Sequence, residues 1–188
     1  MALLRRYAGT LACVAVLGQG LRIASAQEAH PEYEVKAAYL LNFSRYTAWP
    51  AAALPPSDSS ADVVICVLGR DPFGAMLDRT VAEHRVLGRR VQVRRPGNPA
   101  QARRCHVAFI GGDLRSEVEP WLVSLRDSPV LTVGEGSAFA RAGGAIAFVR
   151  TGQTVRFEAN LNALRQAGVQ LSSRVLALAT RVYGEAAR

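Results

Sequence analysis

The chain has 188 residues, a formal net charge of +8 at pH 7, and hydrophobic side chains at 49% of its positions. This length suits one domain with a full hydrophobic core. Apart from Lys36, the basic residues are arginines scattered along the chain, with none of the dense Lys/Arg blocks typical of nucleic-acid-binding segments. We therefore expect a solvated basic surface and no nucleic-acid partner.

The first 26 residues have the features of a cleavable secretory signal peptide. Two arginines near the start precede an apolar run at residues 8–18, and Ala24 to Ala26 form a small-residue cleavage end. A membrane anchor is disfavoured because Arg22 interrupts the chain before about 20 apolar residues have accumulated. We expect residues 1–26 to be removed and residues 27–188 to form the mature domain outside the cytoplasm, with a formal charge lowered from +8 to +5 because three arginines leave.

A helix is predicted to begin at Pro31 and to end before Pro50. Proline and acidic residues suit a first helical turn, where the missing N–H is not needed and negative charge meets the helix dipole. Apolar and aromatic residues then recur every three or four positions, which predicts one helical face: Val35, Ala38, Tyr39, Asn42, Phe43, Tyr46 and Trp49. We interpret the four aromatic residues as core, and a binding surface is the alternative.

From residue 51 onward, short apolar runs alternate with amphipathic segments. The predicted elements are a loop at 51–62, a buried strand at 63–68, a helix at 72–83, an edge strand at 89–95, a strand at 106–110, a helix at 114–126 that Pro120 bends or restarts, a strand at 129–133 and a helical turn at 137–141.

The last third of the chain is predicted to form a hairpin followed by two helices. Residues 145–150 and 154–159 read as strands, and a three-residue connection makes them antiparallel. Helices follow at 160–166 and 172–183. Together these patterns predict a three-layer α/β single domain with a mixed sheet and a C-terminal antiparallel hairpin, flanked by helices.

The sequence contains no recognisable catalytic, cofactor or metal motif. The glycine-rich segment at residues 69–74 lacks the spacing of phosphate-binding loops, no GxSxG marks a serine nucleophile, and no HExxH or paired histidines mark a metal site. We therefore expect no enzymatic activity, no cofactor and no bound metal.

The mature chain keeps two cysteines, Cys66 and Cys105. An even count in an oxidising compartment predicts a disulfide between them. A shared metal is the competing interpretation, but there is no CxxC spacing and only His106 is adjacent in sequence.

The segment that joins the last strand to the following helix is the strongest candidate for a binding surface. Asn160 is placed to cap that helix, and strand alternation turns Glu158 to the face opposite Phe157. Glu158 is either an ordinary solvent-facing residue or part of a surface of mixed polarity at the sheet end, where a partner or a small ligand would bind.

The chain resembles the YfiR/HmsC-like family of periplasmic proteins, in motifs that follow one another in order over nearly the whole mature chain. These motifs are EVKAAYLLNF with the later Trp49-Pro50, ICVLG with Pro72-Phe73, CHVAFI, VLTVG, Phe139 with Gly143-Gly144, FEAN and LSSRVL.

This resemblance implies a regulator that binds the periplasmic sensor domain of a membrane diguanylate cyclase of the YfiN type, inhibits it, and so lowers cyclic-di-GMP signalling and biofilm formation. An outer-membrane lipoprotein of the YfiB type would sequester the inhibitor, and a homodimer is left open. A periplasmic small-molecule-binding sensor is the alternative function.

The resemblance also assigns residues. It implies that Cys66 and Cys105 form the family's structural disulfide, whereas the family's second disulfide has no counterpart, so any redox control would depend on one bond. It assigns partner binding to Phe157 and Glu158, together with Asn160 and Leu164.

Overall fold

A computed structural model describes residues 31–54 and 61–184. The predicted signal peptide, residues 1–26, lies outside the described residues. The described residues form a mixed α/β domain with one large sheet, one two-stranded sheet and helices on both faces of the large sheet.

The described helices and strands largely follow the predicted order. The helices are α1 (Pro31–Arg45), α2 (Ala75–Ala82), α3 (Pro99–Ala102), α4 (Glu119–Leu125), α5 (Gly136–Arg141), α6 (Leu161–Gln166) and α7 (Ser173–Leu176). A π-helical turn, Leu114–Val118, leads into α4, and Pro120 lies in the first turn of α4, as expected for a helix that restarts there.

The strands are β1 (Thr47–Ala48), β2 (Val63–Gly69), β3 (Arg85–Val86), β4 (Arg89–Arg94), β5 (Val107–Gly111), β6 (Leu131–Glu135), β7 (Ile146–Thr151), β8 (Thr154–Asn160), β9 (Gln170–Leu171) and β10 (Arg181–Tyr183). The large sheet has the order β10-β8-β7-β6-β5-β2-β4-β3, and β1 pairs with β9 in the small one. Parallel pairing joins β4, β2, β5, β6 and β7.

The predicted C-terminal hairpin is confirmed. Strands β7 and β8 pair antiparallel, with Phe148 opposite Phe157 and Ala147 opposite Glu158. One face of the sheet packs against α1, α2, α6 and α7, and the other packs against α3, α4 and α5. Two cores separated by one sheet make the predicted three-layer arrangement.

The buried face of α1 differs from the prediction. The helix buries Lys36, Ala37, Leu40, Leu41, Phe43 and Ser44, whereas Val35, Ala38, Asn42 and Tyr46 are exposed and Tyr39 is half-buried. The helix also ends at Arg45, so Trp49 lies beyond it. The face is rotated because Lys36, which its charge would place in solvent, is buried and paired with the partly exposed carboxylates of Glu32 and Glu135.

The prediction of a last helix at 172–183 is wrong over most of its length. Helix α7 ends at Leu176, and β10 then forms a parallel edge strand beside β8. The chain changes direction at Thr180, whose N–H and hydroxyl both donate to the carbonyl of Phe157, at 2.8 and 3.1 Å. At the opposite side of the sheet, β4 is second from the edge because β3 pairs with its first two residues.

Candidate functional site

The four residues assigned to partner binding lie together around the end of β8, and all four are buried. Phe157 packs in the core against the rings of Phe43 and Tyr39, at 5.2 and 5.8 Å between centroids. Glu158 is 7% exposed, so it is not a solvent-facing residue. Asn160 and Leu164 are likewise buried. A role of these side chains in partner binding stays a prediction, and their placement lets them act only through the surface that they support.

The surface that these buried residues support is formed by the edge strand β10. The hydroxyl of Tyr183 donates to Oε2 of Glu158 at 2.8 Å, and the backbone of Arg181–Tyr183 pairs with residues 158–160. Asn160 accepts from the N–H groups of Asn162 and Ala163, which confirms it as the N-cap of α6, and its Nδ2 donates to the carbonyl of Ala140. The buried polar groups of β8 therefore fix both the edge strand and the adjacent helix.

The outer side of this sheet edge carries exposed apolar residues. Leu178 is 59% exposed and Val182 is 43% exposed, and the guanidinium of Arg181 lies 5.9 Å from the ring centroid of Tyr183. An edge strand has unpaired backbone donors and acceptors, and a nearby apolar side chain adds to its tendency to pair with another chain. We call Leu178 and β10 together the C-terminal edge.

A second polar cluster lies at the start of α1. Lys36 is 4% exposed and forms ion pairs with Glu32, at 2.6 Å, and with Glu135 at the end of β6. Its Nζ also lies 4.4 Å from the ring centroid of Tyr33. Burial acts to lower the pKa of Lys36, but the hydrogen bonds to the two carboxylates outweigh it and raise that pKa above its ordinary value. The lysine is therefore charged, and it ties α1 to the carboxyl end of the sheet.

Beside this cluster, a groove of about 450 Å³ runs between α1 and the β7–β8 hairpin. Its lining combines apolar and polar side chains: Pro31, Glu32, Val35, Tyr39, Arg150, Gln153, Thr154 and Val155. Arg150 donates to Glu32 at 3.0 Å and to Gln153 at 3.0 Å, so its charge is already engaged. The groove is large enough for a small organic molecule.

In a parallel sheet, ligands usually bind at the carboxyl ends of two neighbouring strands whose following connections run in opposite directions. Here this position lies between β2 and β5, and backbone atoms close it. Gly69 ends β2 and Gly111 ends β5. A Cβ on Gly69 would lie 2.3 Å from the Gly111 carbonyl oxygen, and a Cβ on Gly111 would lie 2.2 Å from the Arg70 carbonyl oxygen. In the part of the chain that the structure describes, no three His, Cys, Asp or Glu side chains group to hold a metal.

The predicted disulfide between Cys66 and Cys105 is present, and it joins β2 to the segment that leads into β5, two residues before that strand begins. His106 lies beside it and bridges two segments. The N–H of Val64 donates to its Nδ1 at 2.9 Å, which leaves Nε2–H to donate to the carbonyl of Ala53 at 3.2 Å. The indole of Trp49 donates to the His106 carbonyl at 3.2 Å. This cluster fastens the segment after α1 to the sheet.

We expect the protein to lose stability between pH 7 and pH 5 through His106. Burial lowers the pKa of His106, the charge of Arg89 lowers it further, and the Ala53 hydrogen bond opposes both. Above the unfolded-state pKa of about 6.5 the histidine is neutral in both states, so its stabilising contribution is complete. As the pH falls below that value the unfolded chain takes up the proton first, and stability declines by about 1 kcal/mol per pH unit toward the lower folded-state pKa.

Urea unfolding at pH 7, 6 and 5 measures this decline. His106→Asn, whose Oδ1 still accepts from Val64, should flatten it, whereas His84→Asn at an exposed position should retain it. An unchanged pH dependence in His106→Asn would contradict the assignment.

Sequence reasoning missed the Lys36 cluster. The sequence did contain a signal for it: Lys36 is the only lysine in a chain otherwise basic through arginine, and Glu32 precedes it by one helical turn. Nothing local in the sequence points to its third member, Glu135, which is 99 positions away.

Comparison with known proteins gives one family and a distant structural likeness. The family model described as YfiR/HmsC-like matches residues 33–180. The crystal structure of a conserved domain protein from Vibrio cholerae superposes with a TM-score of 0.53 at 14% sequence identity, covering 78% of this chain. This chain spans 59% of that protein, and the likeness is one of fold alone. An ABC domain from Streptococcus pneumoniae in complex with L-Trp reaches a TM-score of 0.47 at 13% identity, covering 70% of this chain and 57% of that one.

Proposed function

Because the chain belongs to the YfiR/HmsC-like family, we propose that it is a periplasmic regulator that binds and inhibits the periplasmic sensor domain of a membrane-bound diguanylate cyclase. Inhibition lowers cyclic-di-GMP signalling and biofilm formation. The observation that carries the proposal is the family match, which extends over residues 33–180 and therefore over nearly all of the described fold. The proposal assigns the chain a regulatory role and no catalytic one.

The periplasmic location is supported by the sequence at the N-terminus, where residues 1–26 have the order of charge, apolar run and small residues that signal peptidase requires. Within residues 31–54 and 61–184, no helix has both the length and the apolar character needed to cross a bilayer. An inhibitor exported in this way meets the sensor domain of a membrane cyclase on the outer side of the inner membrane.

Inhibition requires a difference in affinity between two states of the cyclase. The regulator can hold the cyclase inactive only by binding the inactive conformation of the sensor domain more tightly than the active one. An outer-membrane lipoprotein that sequesters the regulator would then restore cyclase activity by mass action.

The C-terminal edge is the surface that we propose for the contact. Its edge strand offers backbone hydrogen-bonding groups, and Leu178 and Val182 offer apolar area to a partner strand or helix. The burial of Phe157, Glu158, Asn160 and Leu164 directly beneath it gives these residues a common role, which is to hold this surface in shape.

Replacing Val182 with lysine is expected to weaken binding to the sensor domain at least tenfold, because a charged residue in an edge strand opposes pairing and removes apolar contact. Calorimetric titration of the protein against periplasmic domains of the membrane cyclases of its host measures the dissociation constant. Val123→Lys, on α4, is the matched control because Val123 is also exposed, and it should bind as the unchanged protein does.

The outcomes of this titration test the proposed contact surface and the proposed inhibitor function separately. Equal binding by Val182→Lys would show that the contact lies elsewhere on the molecule. Failure of the unchanged protein to bind any of the cyclase domains would refute the inhibitor proposal itself.

A second candidate function is the binding of a small periplasmic metabolite, and the groove beside α1 favours it. The exposed Val35 and half-buried Tyr39 lie next to the polar groups of Gln153 and Thr154 there, which is the mixture that orients a small organic ligand. Micromolar binding in a metabolite screen, lost on Val35→Glu and accompanied by no cyclase binding, would support this function over the first.

A further inference from the structure

The hairpin formed by β3 and β4 has an unusual tip. Val86 pairs with Arg89, so Leu87 and Gly88 form a two-residue turn with φ values of +53° and +77°. Such turns strongly favour asparagine, aspartate or glycine, because other side chains are strained at positive φ. Leu87 is the only non-glycine residue with positive φ in the described part of the chain, and its side chain is 57% exposed.

The strands that carry this tip have a second locally unfavourable feature. Arg85 and Arg90 are directly opposite each other across the antiparallel pair. Like charges in that position repel. Arg94 follows on the same face of β4, so three exposed arginines lie on one side of the hairpin.

Few acids compensate these arginines. Arg90 forms an ion pair with Asp62 at 3.3 Å, whereas Arg85 and Arg94 belong to none of the ion pairs among the described residues. Glu83, exposed just before β3, is the nearest acid along the chain. The hairpin therefore presents net positive charge around an exposed leucine.

The two residues that flank the turn are firmly attached to the domain. Val86 is fully buried, and Arg89 turns inward, where its Nη1 donates to the carbonyl of Ala61 at 2.8 Å. Strand β4 pairs with β2 over four residues. A strained, exposed apolar residue held in place on both sides indicates a feature kept for contact, because strain of this kind collects at functional positions. Charged residues that keep a sheet edge from pairing with other chains would explain the arginines, but they do not explain the exposed Leu87.

We propose that the β3–β4 hairpin docks the protein on the surface of an anionic phospholipid membrane. Leu87 inserts among the lipid headgroups and upper acyl chains, and Arg85, Arg90 and Arg94 contact the lipid phosphates. A two-residue turn with one exposed apolar side chain is too small for a stable protein interface, which takes about 800 Å² from each partner. A bilayer surface can take up one such side chain, and basic residues near an apolar side chain are what anionic membranes attract.

The test uses the protein purified from the periplasm of the expressing cell, with its N-terminus determined by mass spectrometry. Flotation with vesicles of phosphatidylcholine alone and of phosphatidylcholine with about 30% phosphatidylglycerol measures partitioning. We expect binding to the anionic vesicles only, and we expect added sodium chloride to weaken it. The assay contains no cyclase, so its result is independent of the proposed inhibitor function.

Two variants locate the contact on the hairpin. Leu87→Asn relieves the positive-φ strain, keeps the fold and should weaken binding to anionic vesicles about tenfold. Arg85→Gln with Arg94→Gln should weaken it about fivefold for each arginine. The matched controls are Val123→Asn, at an exposed apolar residue on α4, and Arg156→Gln with Arg174→Gln, at two exposed arginines elsewhere. Both controls should bind as the unchanged protein does.

Three results would overturn the proposal. These are failure of the unchanged protein to bind anionic vesicles, equal losses in the controls and in the hairpin variants, and binding to poly-glutamate in preference to vesicles. The last would assign the arginines to an acidic protein partner.

Discussion

Replacing Phe157 with alanine is expected to lower the free energy of unfolding by about 3–5 kcal/mol, the range for deleting a buried phenylalanine. The ring is 1% exposed and lies edge-on to Phe43, between the β8 backbone and α1. Its loss leaves a cavity where the two strands of the hairpin meet the helix. Urea denaturation of the variant and of the unchanged protein measures the difference.

A conservative variant separates packing from partner contact at this position. Phe157→Leu keeps most of the volume and should cost about 1 kcal/mol. If Phe157 acts only through the fold, the folded fraction of both variants should retain sensor-domain binding. A variant that unfolds normally but no longer binds would instead assign Phe157 a direct contact, which its burial argues against.

Reduction of the Cys66–Cys105 disulfide is expected to lower the free energy of unfolding by about 4 kcal/mol. The cross-link closes a loop with a sequence separation of 39, and the chain-entropy relation gives this value for a loop of that length. Because both cysteines are buried, reduction of the folded protein should be slow, and the effect should appear when unfolding is measured with dithiothreitol present.

The double variant Cys66→Ala with Cys105→Ala tests the same bond by mutation, and the reduced protein serves as its control. Reduction removes the bond and keeps both sulfur atoms, whereas the double variant also removes the sulfurs from the core. The two forms should therefore differ by only the packing of two small groups. A reduced protein within about 1 kcal/mol of the oxidised one would show that the bond does not restrict the unfolded chain in the expected way.

The elements of the central sheet could be predicted because their signals are local. Runs such as VVICVL and HVAFI are β-branched, apolar and bounded by glycine or polar residues, and they form β2 and β5. The residues after α7 could not be predicted in the same way. Arg181–Tyr183 form a strand because β8 offers them an open edge and Thr180 is held by Phe157, and both causes are tertiary.

The junction between β8 and α6 could be predicted, but the burial of its side chains could not. Sequence reasoning located the end of β8 and the cap at Asn160 correctly, since an asparagine between a strand and a helix is a local signal. It left open whether Glu158 faces solvent, because the partner that satisfies its carboxylate, Tyr183, belonged to a predicted helix. The rotated face of α1 has the same origin, because Glu135 is distant in sequence from the lysine that it neutralises.

The order of the large sheet places β10 and β3 at opposite borders, about 34 Å apart for eight strands at the usual spacing. Strand β10 also begins at residue 181, just past the range shared with the family. Two of its three side chains, Arg181 and Val182, are exposed and can change without repacking either core, whereas Tyr183 packs against a core and is bonded to Glu158. The surface that we propose for partner contact can therefore be altered at Arg181 and Val182 while the scaffold that carries it stays the same.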